Sequence, residues 1–528
     1  MAKNTISQYS KTAGSNTDIQ SVNIDEGCPP SSLNNAIREI MVDLASLNDG
    51  TQSLTKLVTD ELVVDGANVE GAATSAKTAA YTVVAGDDAS TILCSAASAD
   101  YAVALTAAAT LGDGFTVTIK KSDATKFMIT INPNGSETID GLPDLKLRQE
   151  HASVTLICDG SNWHVKNHSN VAIDNNIAEN TGFQVDQYAH VTRTGVGDAT
   201  ELVQDRWRMT PAGSASARWT YSIEDNGGAN GDSKWAKLLC TTADASPGAA
   251  EGQGFGQSVL GNNSIQLLGS DNKFENCVIS MDIILHKGGS SSISLPAKIP
   301  LFFATIDGTQ YQYAEDVSIA AVDTWYRVSI VVPEHASANL VPGTQRSCIF
   351  GIGLYGGSSV QEKSGAWATG YEPYATGTSS NLADATDNYV GITNVVLQPG
   401  QIASTYKPRP YSEEVQICQH YYYRLHRNPD DNAYFGGGYN NATTKHYFVV
   451  EFPTPMRVKP TVAINSTSGF TVTQAGTSGH ASTDIALGTS STNQAFVIVT
   501  TGASLTAGDG GLVLMNTGSD YIAWISEI

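Results

Sequence analysis

The sequence predicts a mainly β chain of several domains, and three observations carry that prediction. Many short stretches alternate apolar and polar residues with period two, the signature of strands with one buried face. Turn-forming residues are abundant, with 49 Gly in 528 residues, while charged residues make up only 16%, a balance that suits short strands joined by turns rather than long surface helices. A chain of 528 residues is also too long for one hydrophobic core, so four or five domains joined end to end are expected.

The formal net charge of -22 argues against nucleic acid or an anionic membrane as partner, since either would repel so acidic a chain. No segment approaches the roughly 20 apolar residues of a membrane helix, and the opening MAKNTISQYSK lacks the apolar centre of a signal peptide. The chain is therefore expected to stay in the cytoplasm in which it is made unless something else carries it out. The 7 cysteines, Cys28, Cys94, Cys158, Cys240, Cys277, Cys348 and Cys418, form no CxxC pair, so buried free thiols are expected rather than zinc ligands or disulfides.

Residues 1 to 30 are polar and lack periodicity, as expected of a segment that folds on a partner. After Pro29 and Pro30, Ser31 and Ser32 offer N-caps to an amphipathic run in which Leu33, Ile37, Ile40, Leu44 and Leu47 are spaced 4-3-4-3. That is a heptad seam, extending weakly through Leu54 and Val58, and a lone helix of about 15 residues is marginal in water. Self-association over residues 31 to 62 is the preferred reading. Ile at both seam positions, with Ala36 and Met41 widening the stripe, favours three strands over two. The plain alternative is a helix packed on a neighbouring β-domain.

Residues 63 to 175 read as a β-rich unit. Phe115, Val117 and Ile119 alternate, as do Ile129 and Ile131 before a Pro133-Asn134-Gly135 turn, and Val154, Leu156 and Cys158 lead to Asp159-Gly160 with Trp163 beyond it. Residues 167 to 182 read as an Asn-rich linker. From 176 to 407, long alternating stretches such as Cys277 to Leu285, Tyr326 to Val332 and Cys348 to Leu354 predict a jelly-roll β-sandwich. Pro408, Arg409 and Pro410 mark a boundary. Residues 408 to 528, with Phe448, Val450, Phe452, Phe496, Ile498, Ile522 and Trp524, read as a second, smaller sandwich.

Several of these stretches resemble tail-fibre proteins of short-tailed bacteriophages. The run Ile24 to Glu39 (IDEGCPPSSLNNAIRE) is similar to the opening module of such fibres, and residues 79 to 166, ending in Asp159-Gly160-Ser161-Asn162-Trp163, resemble their shaft repeats. Residues 205 to 424 resemble a carbohydrate-binding-like fibre module. It closes with Thr393-Asn394-Val395, then Arg409-Pro410-Tyr411, then Tyr421-Tyr422-Tyr423-Arg424. Gln398-Pro399-Gly400 and Tyr406-Lys407 depart from its usual pattern, which leaves the sugar specificity open. The resemblance implies an elongated homotrimer with a short N-terminal coiled coil, residues 1 to 30 attached to the tail or to an adaptor or nozzle protein, and C-terminal domains facing a host-surface glycan. It implies a virion component, assembled in the host cytoplasm.

Signals for chemistry are sparse. The sequence has no HExxH, GxxxxGK[ST] or GxSxG, and Gly351 to Gly356 lies inside an alternating strand rather than at a strand-to-helix turn. No metal and no cofactor are expected, and the chain is read as a non-enzyme. Two rivals stay open: a capsule-degrading tail spike, whose paired carboxylates need not be close in sequence, and a purely architectural nozzle or adaptor protein.

Binding is the favoured chemistry, because sugars stack their C-H faces on aromatic rings while their hydroxyls need short polar partners. Candidates are Trp235 beside Asn230 and Asp232; Tyr311 and Tyr313 beside Asp307; and Trp367, Tyr371 and Tyr374 in one Gly-rich loop. In the last domain they are Tyr434, Phe435 and Tyr439 in the stretch from Asn432 to Asn440, with His446 following. Aromatics that merely cover a sandwich edge are the competing reading for each. Trp207 and Trp325 are expected to pack in or beside strands, and the turn Asp225 to Asp232 reads as solvated, although its oxygens suit calcium.

Overall fold

The structure is a computed structural model. It describes all of the chain except residues 1–11, 13–14, 49–62, 65–66, 69–72, 124–126, 149–150, 170–175, 189–192, 198, 230, 232–233, 270–272, 307, 371–373, 427–433, 475–478, 503–504, 517–519 and 528, and the backbone alone of residues 47, 48, 63, 64, 67, 68, 434 and 435. It divides into two units, Met1–Ala73 and Thr74–Ile528.

In the first unit a small hairpin, Asp18–Ile19 with Val22–Asn23, precedes a helix at Pro30–Asn48. The helix starts at the second proline rather than after it, because proline in a first helical turn forfeits only a donor that has no partner there anyway. One face meets the hairpin: Ile19 is buried, Gln20 Nε2 donates to Asp43 Oδ1 at 2.8 Å, and Ala36, expected to widen the seam, is instead buried in this monomeric packing. The other carries the predicted seam, with Leu33 (59% exposed), Ile37 (51%), Ile40 (36%) and Leu44 (54%) in the open beside Met41 and Val42. The Leu47 side chain and residues 49–62 lie outside the described residues, so the continuation of the seam does too.

The second unit opens with a domain whose chain winds between two sheets. Thr74–Lys77, Ser90–Cys94 and Thr116–Lys121 pair in parallel in one sheet; Tyr81–Thr82, Tyr101–Ala104 and Ile129–Asn132 do so in the other. This makes the unit a short coil of parallel strands. It is capped by the antiparallel pairs Ser153–Cys158 with Trp163–Ser169 and Ile129–Asn132 with Leu145–Leu147. The predicted alternation puts Val117, Ile119, Ile129, Ile131, Val154, Leu156 and Trp163 in its core.

The sandwich consists of a six-stranded and a seven-stranded sheet, antiparallel throughout. Period-two strands turn Met281, Ile283, Ile330, Phe350 and Ile352 into one core around Trp207 and Trp219, and Trp207 stacks on Phe255 at 5.3 Å. Where it is described the expected linker is not one: residues 167–169 continue the strand Trp163–Ser169, Ile177, Ala178 and Asn180 are buried at this core, and Asn176 Nδ2 donates to Val395 O at 2.8 Å, while residues 170–175 lie outside the described residues.

The last domain corrects the predicted second sandwich. After a helix at Tyr411–Gln419, six strands from Tyr434–Ala442 to Gly510–Met515 close into a barrel, flanked by a three-stranded sheet that includes Tyr521–Ile525. Alternating strands look the same in sequence whether their sheet is open or closed, because the pattern fixes faces and not edges. Among the described residues the cysteines are free, and all but Cys28 are buried.

Candidate functional site

The outer face of the six-stranded sheet carries an aromatic array. His286 and Tyr389 end and begin their strands and stand opposite each other in register, with rings stacked at 4.8 Å and 9°. Trp235 lies 6.1 Å from Tyr389 and meets Trp325 edge-on at 5.5 Å. Gly391 makes this possible, since a Cβ there would fall 2.5 Å from the Trp235 ring, so the indole lies flat on the backbone between two strands. Trp235 is only 7% exposed and forms the base of the array; Trp325, Tyr389 and His286 are half-buried around it.

Polar groups border the rings. Asp323 accepts from His286 Nδ1 at 2.7 Å and from the Tyr389 hydroxyl at 3.4 Å, and Lys237 Nζ stands 4.7 Å over the Tyr389 ring. Burial, with Asp323 adding to it, pushes the Tyr389 phenol above its ordinary value. Both indole N–H groups are spent on one turn: Trp235 donates to Asn226 O at 2.9 Å and Trp325 to Gly227 O at 2.8 Å. The acidic turn is thereby pinned to the aromatic face, and Asp225 accepts an ion pair from Lys234 at 3.0 Å. Among the described residues no group of His, Cys, Asp and Glu is placed to hold a metal ion.

No family model matches the chain, and no curated protein matches it either. Solved structures do. A carbohydrate-binding module, TmCBM61 in complex with beta-1,4-galactotriose, is 10% identical over 43% of this chain and 99% of its own, with a TM-score of 0.20. The CBM22-1 xylan-binding domain of Paenibacillus barcinonensis Xyn10C is 12% identical over 41% of this chain and 99% of its own, with a TM-score of 0.20. The enzymatically active domain of bacteriophage CBA120 tailspike protein 4 is 8% identical over 63% of this chain and 39% of its own, at 0.23. Likeness of this degree carries no argument about function.

The other predicted aromatics fall into two groups. Tyr311, Tyr313 and Trp367 come together at one edge of the sandwich: Tyr311 and Trp367 lie 4.5 and 5.0 Å from His335, and Tyr313 lies 5.6 Å from Trp367. Tyr313 belongs to the core, the other two pack on it, and Trp367 Nε1 donates to Pro333 O at 3.1 Å. This cluster covers the sandwich edge. Tyr374, 3% exposed, lies edge-on to Phe302 and is buried rather than offered; Tyr371 lies outside the described residues.

In the barrel domain the expected aromatic loop is in part a strand, Tyr434–Ala442, and the Tyr434 and Phe435 side chains lie outside the described residues. Tyr439 is 50% exposed and begins a stripe with Tyr447 (5.8 Å) and Phe496, itself 5.1 Å from Tyr447. His446 is not a surface contact. It is buried inside the barrel, Nδ1 paired with Asn440 Oδ1 at 2.9 Å, where a Cβ on Gly438 would crowd Nε2 at 2.8 Å; burial lowers its pKa.

Sequence reasoning reached Trp235 but missed Tyr389 and His286 and assigned Trp325 to packing. His286 and Tyr389 sit at strand ends, far apart in the chain, and only the antiparallel pairing of their strands unites them.

Proposed function

We propose that the chain is one subunit of a homotrimeric phage tail fibre, a virion component that attaches to the tail through its N-terminal segment and binds a host-surface glycan without cutting it. The observation that carries the adhesive part is the Trp235–Trp325–Tyr389–His286 array, bordered by Asp323 and Lys237. Flat rings on an open sheet face suit the C-H faces of successive sugars, and the adjacent carboxylate and ammonium suit their hydroxyls. What supports self-association is the row of exposed Leu33, Ile37, Ile40 and Leu44 on a helix whose neighbouring face, with Ala36 and Asp43, is covered by the hairpin. Three weak sites on one trimer gain by avidity, so none need be tight.

The test is a panel of bacterial surface polysaccharides probed with the full chain and with Trp325→Ala. Retention by at least one polysaccharide, weakened at least about tenfold by a substitution that removes one stacking ring, supports the reading. Retention that ignores Trp325→Ala overturns this face as the site. A second reading, contact through the barrel, is favoured by the outward-facing Tyr439–Tyr447–Phe496 stripe, in which Tyr439 is exposed and the other two are half-buried. Tyr439→Ala in the same panel separates the two.

A further inference from the structure

Where the sandwich meets the barrel domain, a pocket of about 640 Å³ lies between four stretches of chain. One wall is the Tyr411–Gln419 helix, which presents Tyr411, Val415 and Gln419 at four-residue intervals and therefore on one face. The facing wall is the segment Gln184 to Gln187, and Lys234, Arg424 and His426 complete the lining. The size falls within the roughly 300–1,000 Å³ of small-molecule sites.

Its chemistry is that of sugar recognition. Tyr411 is 60% exposed, an uncovered ring at the rim. Gln184, Gln187 and Gln419 bring amides that both donate and accept, and Asp186 and Arg424 bring a planar carboxylate and a planar fork, a set matched to adjacent hydroxyls that are themselves donors and acceptors. The Arg424 guanidinium lies 4.1 Å over the Tyr521 ring, and its one hydrogen bond among the described residues is Nη1 to Gln187 O at 3.4 Å. Its Nε is buried, so what the fork can offer the pocket is its two terminal nitrogens.

We infer that this pocket binds one terminal sugar of the surface glycan. The inference rests on the adhesion reading and adds to it: the aromatic face is open and takes the run of a chain, whereas the pocket takes an end. Lys234, which lines the pocket, directly precedes Trp235 of the array in the sequence. The arrangement selects glycans by their terminal residue, which an array of flat rings does poorly.

Saturation-transfer NMR on the full chain with D-glucose, D-galactose, D-mannose, N-acetyl-D-glucosamine and L-rhamnose tests this. At least one sugar receives saturation, Tyr411→Ala and Gln419→Ala each weaken its binding by about tenfold, the worth of one stacked ring or one well-made hydrogen bond, and Trp325→Ala leaves it unchanged. Both pocket substitutions are at exposed or half-exposed helix positions, so the fold survives them. No transfer from any of the five overturns the inference, as does a signal indifferent to both pocket variants or one lost in Trp325→Ala. Silence here together with polysaccharide retention that still needs Trp325 discards the pocket and leaves the adhesion reading standing.

Discussion

The guanidinium of Arg206 lies 3.5 Å from the ring centroid of Tyr421, a sandwich residue stacked on a residue of the C-terminal domain. Its Nε donates to Glu179 at 2.5 Å, its Nη1 to Glu527 at 2.5 Å and its Nη2 to Ser258 O at 2.8 Å, while the Tyr421 hydroxyl donates to Glu179 Oε1 at 3.1 Å. Burial alone would lower its pKa, but Glu527, Glu179 and Tyr421 hold the guanidinium well above its ordinary value. Two carboxylates and one cation, with hardly any solvent access, join the domains rigidly.

Removing that cation leaves two buried carboxylates facing each other. Arg206→Met is expected to cost roughly 3–5 kcal/mol, as when one partner of a buried ion pair is deleted. In calorimetry the parent is expected to show the two domains melting together and the variant the C-terminal domain melting ahead of the sandwich; a single transition in the variant would contradict this.

Next to this joint, burial pushes the Asp205 carboxyl up to about 8, against hydrogen bonds from Gln187 N at 2.6 Å and Nε2 at 2.7 Å. The folded chain then holds a proton that the unfolded chain releases near pH 4. The contribution of this group to stability is therefore full below about pH 4 and declines as pH rises to about 8, by at most about 1.4 kcal/mol per pH unit. Denaturant titrations from pH 4.5 to 8 are expected to show that decline, and Asp205→Asn to flatten it.

The backbone at Gly391 lies under the Trp235 ring. Gly391→Ala is expected to lift the indole off the sheet, shifting tryptophan emission and weakening polysaccharide retention without large loss of stability. Unchanged emission and retention would mean the ring does not depend on that glycine.

Much of this was legible in the sequence, and what was not has physical causes. The helix and its seam follow from spacing, and the sandwich strands from period two. The parallel coil was hidden because its strands begin at irregular intervals, at Thr74, Ser90 and Thr116 in one sheet and Tyr81, Tyr101 and Ile129 in the other, so no fixed repeat marks it. His446 read as a surface residue because alternation assigns a face only once the register is known. The partners Tyr389 and His286 are joined by tertiary pairing alone, and Tyr411, although conspicuous beside Pro410, acquires its facing wall only from residues 184 to 187.

The exposed seam predicts association. Light scattering of the full chain is expected to give three times the chain mass, and Leu33→Asp with Ile37→Asp to reduce it, since a charge at a seam position is strongly disfavoured. A monomeric parent chain would remove the trimer from the account.

The central claim is binding of a glycan without cleavage, and co-elution tests it most directly. A polysaccharide from the panel is incubated with the full chain and passed over a sizing column, and both protein position and polysaccharide length are measured. The account predicts protein travelling with polysaccharide of unchanged length. Polysaccharide emerging shorter, or protein emerging alone at every concentration, would contradict it.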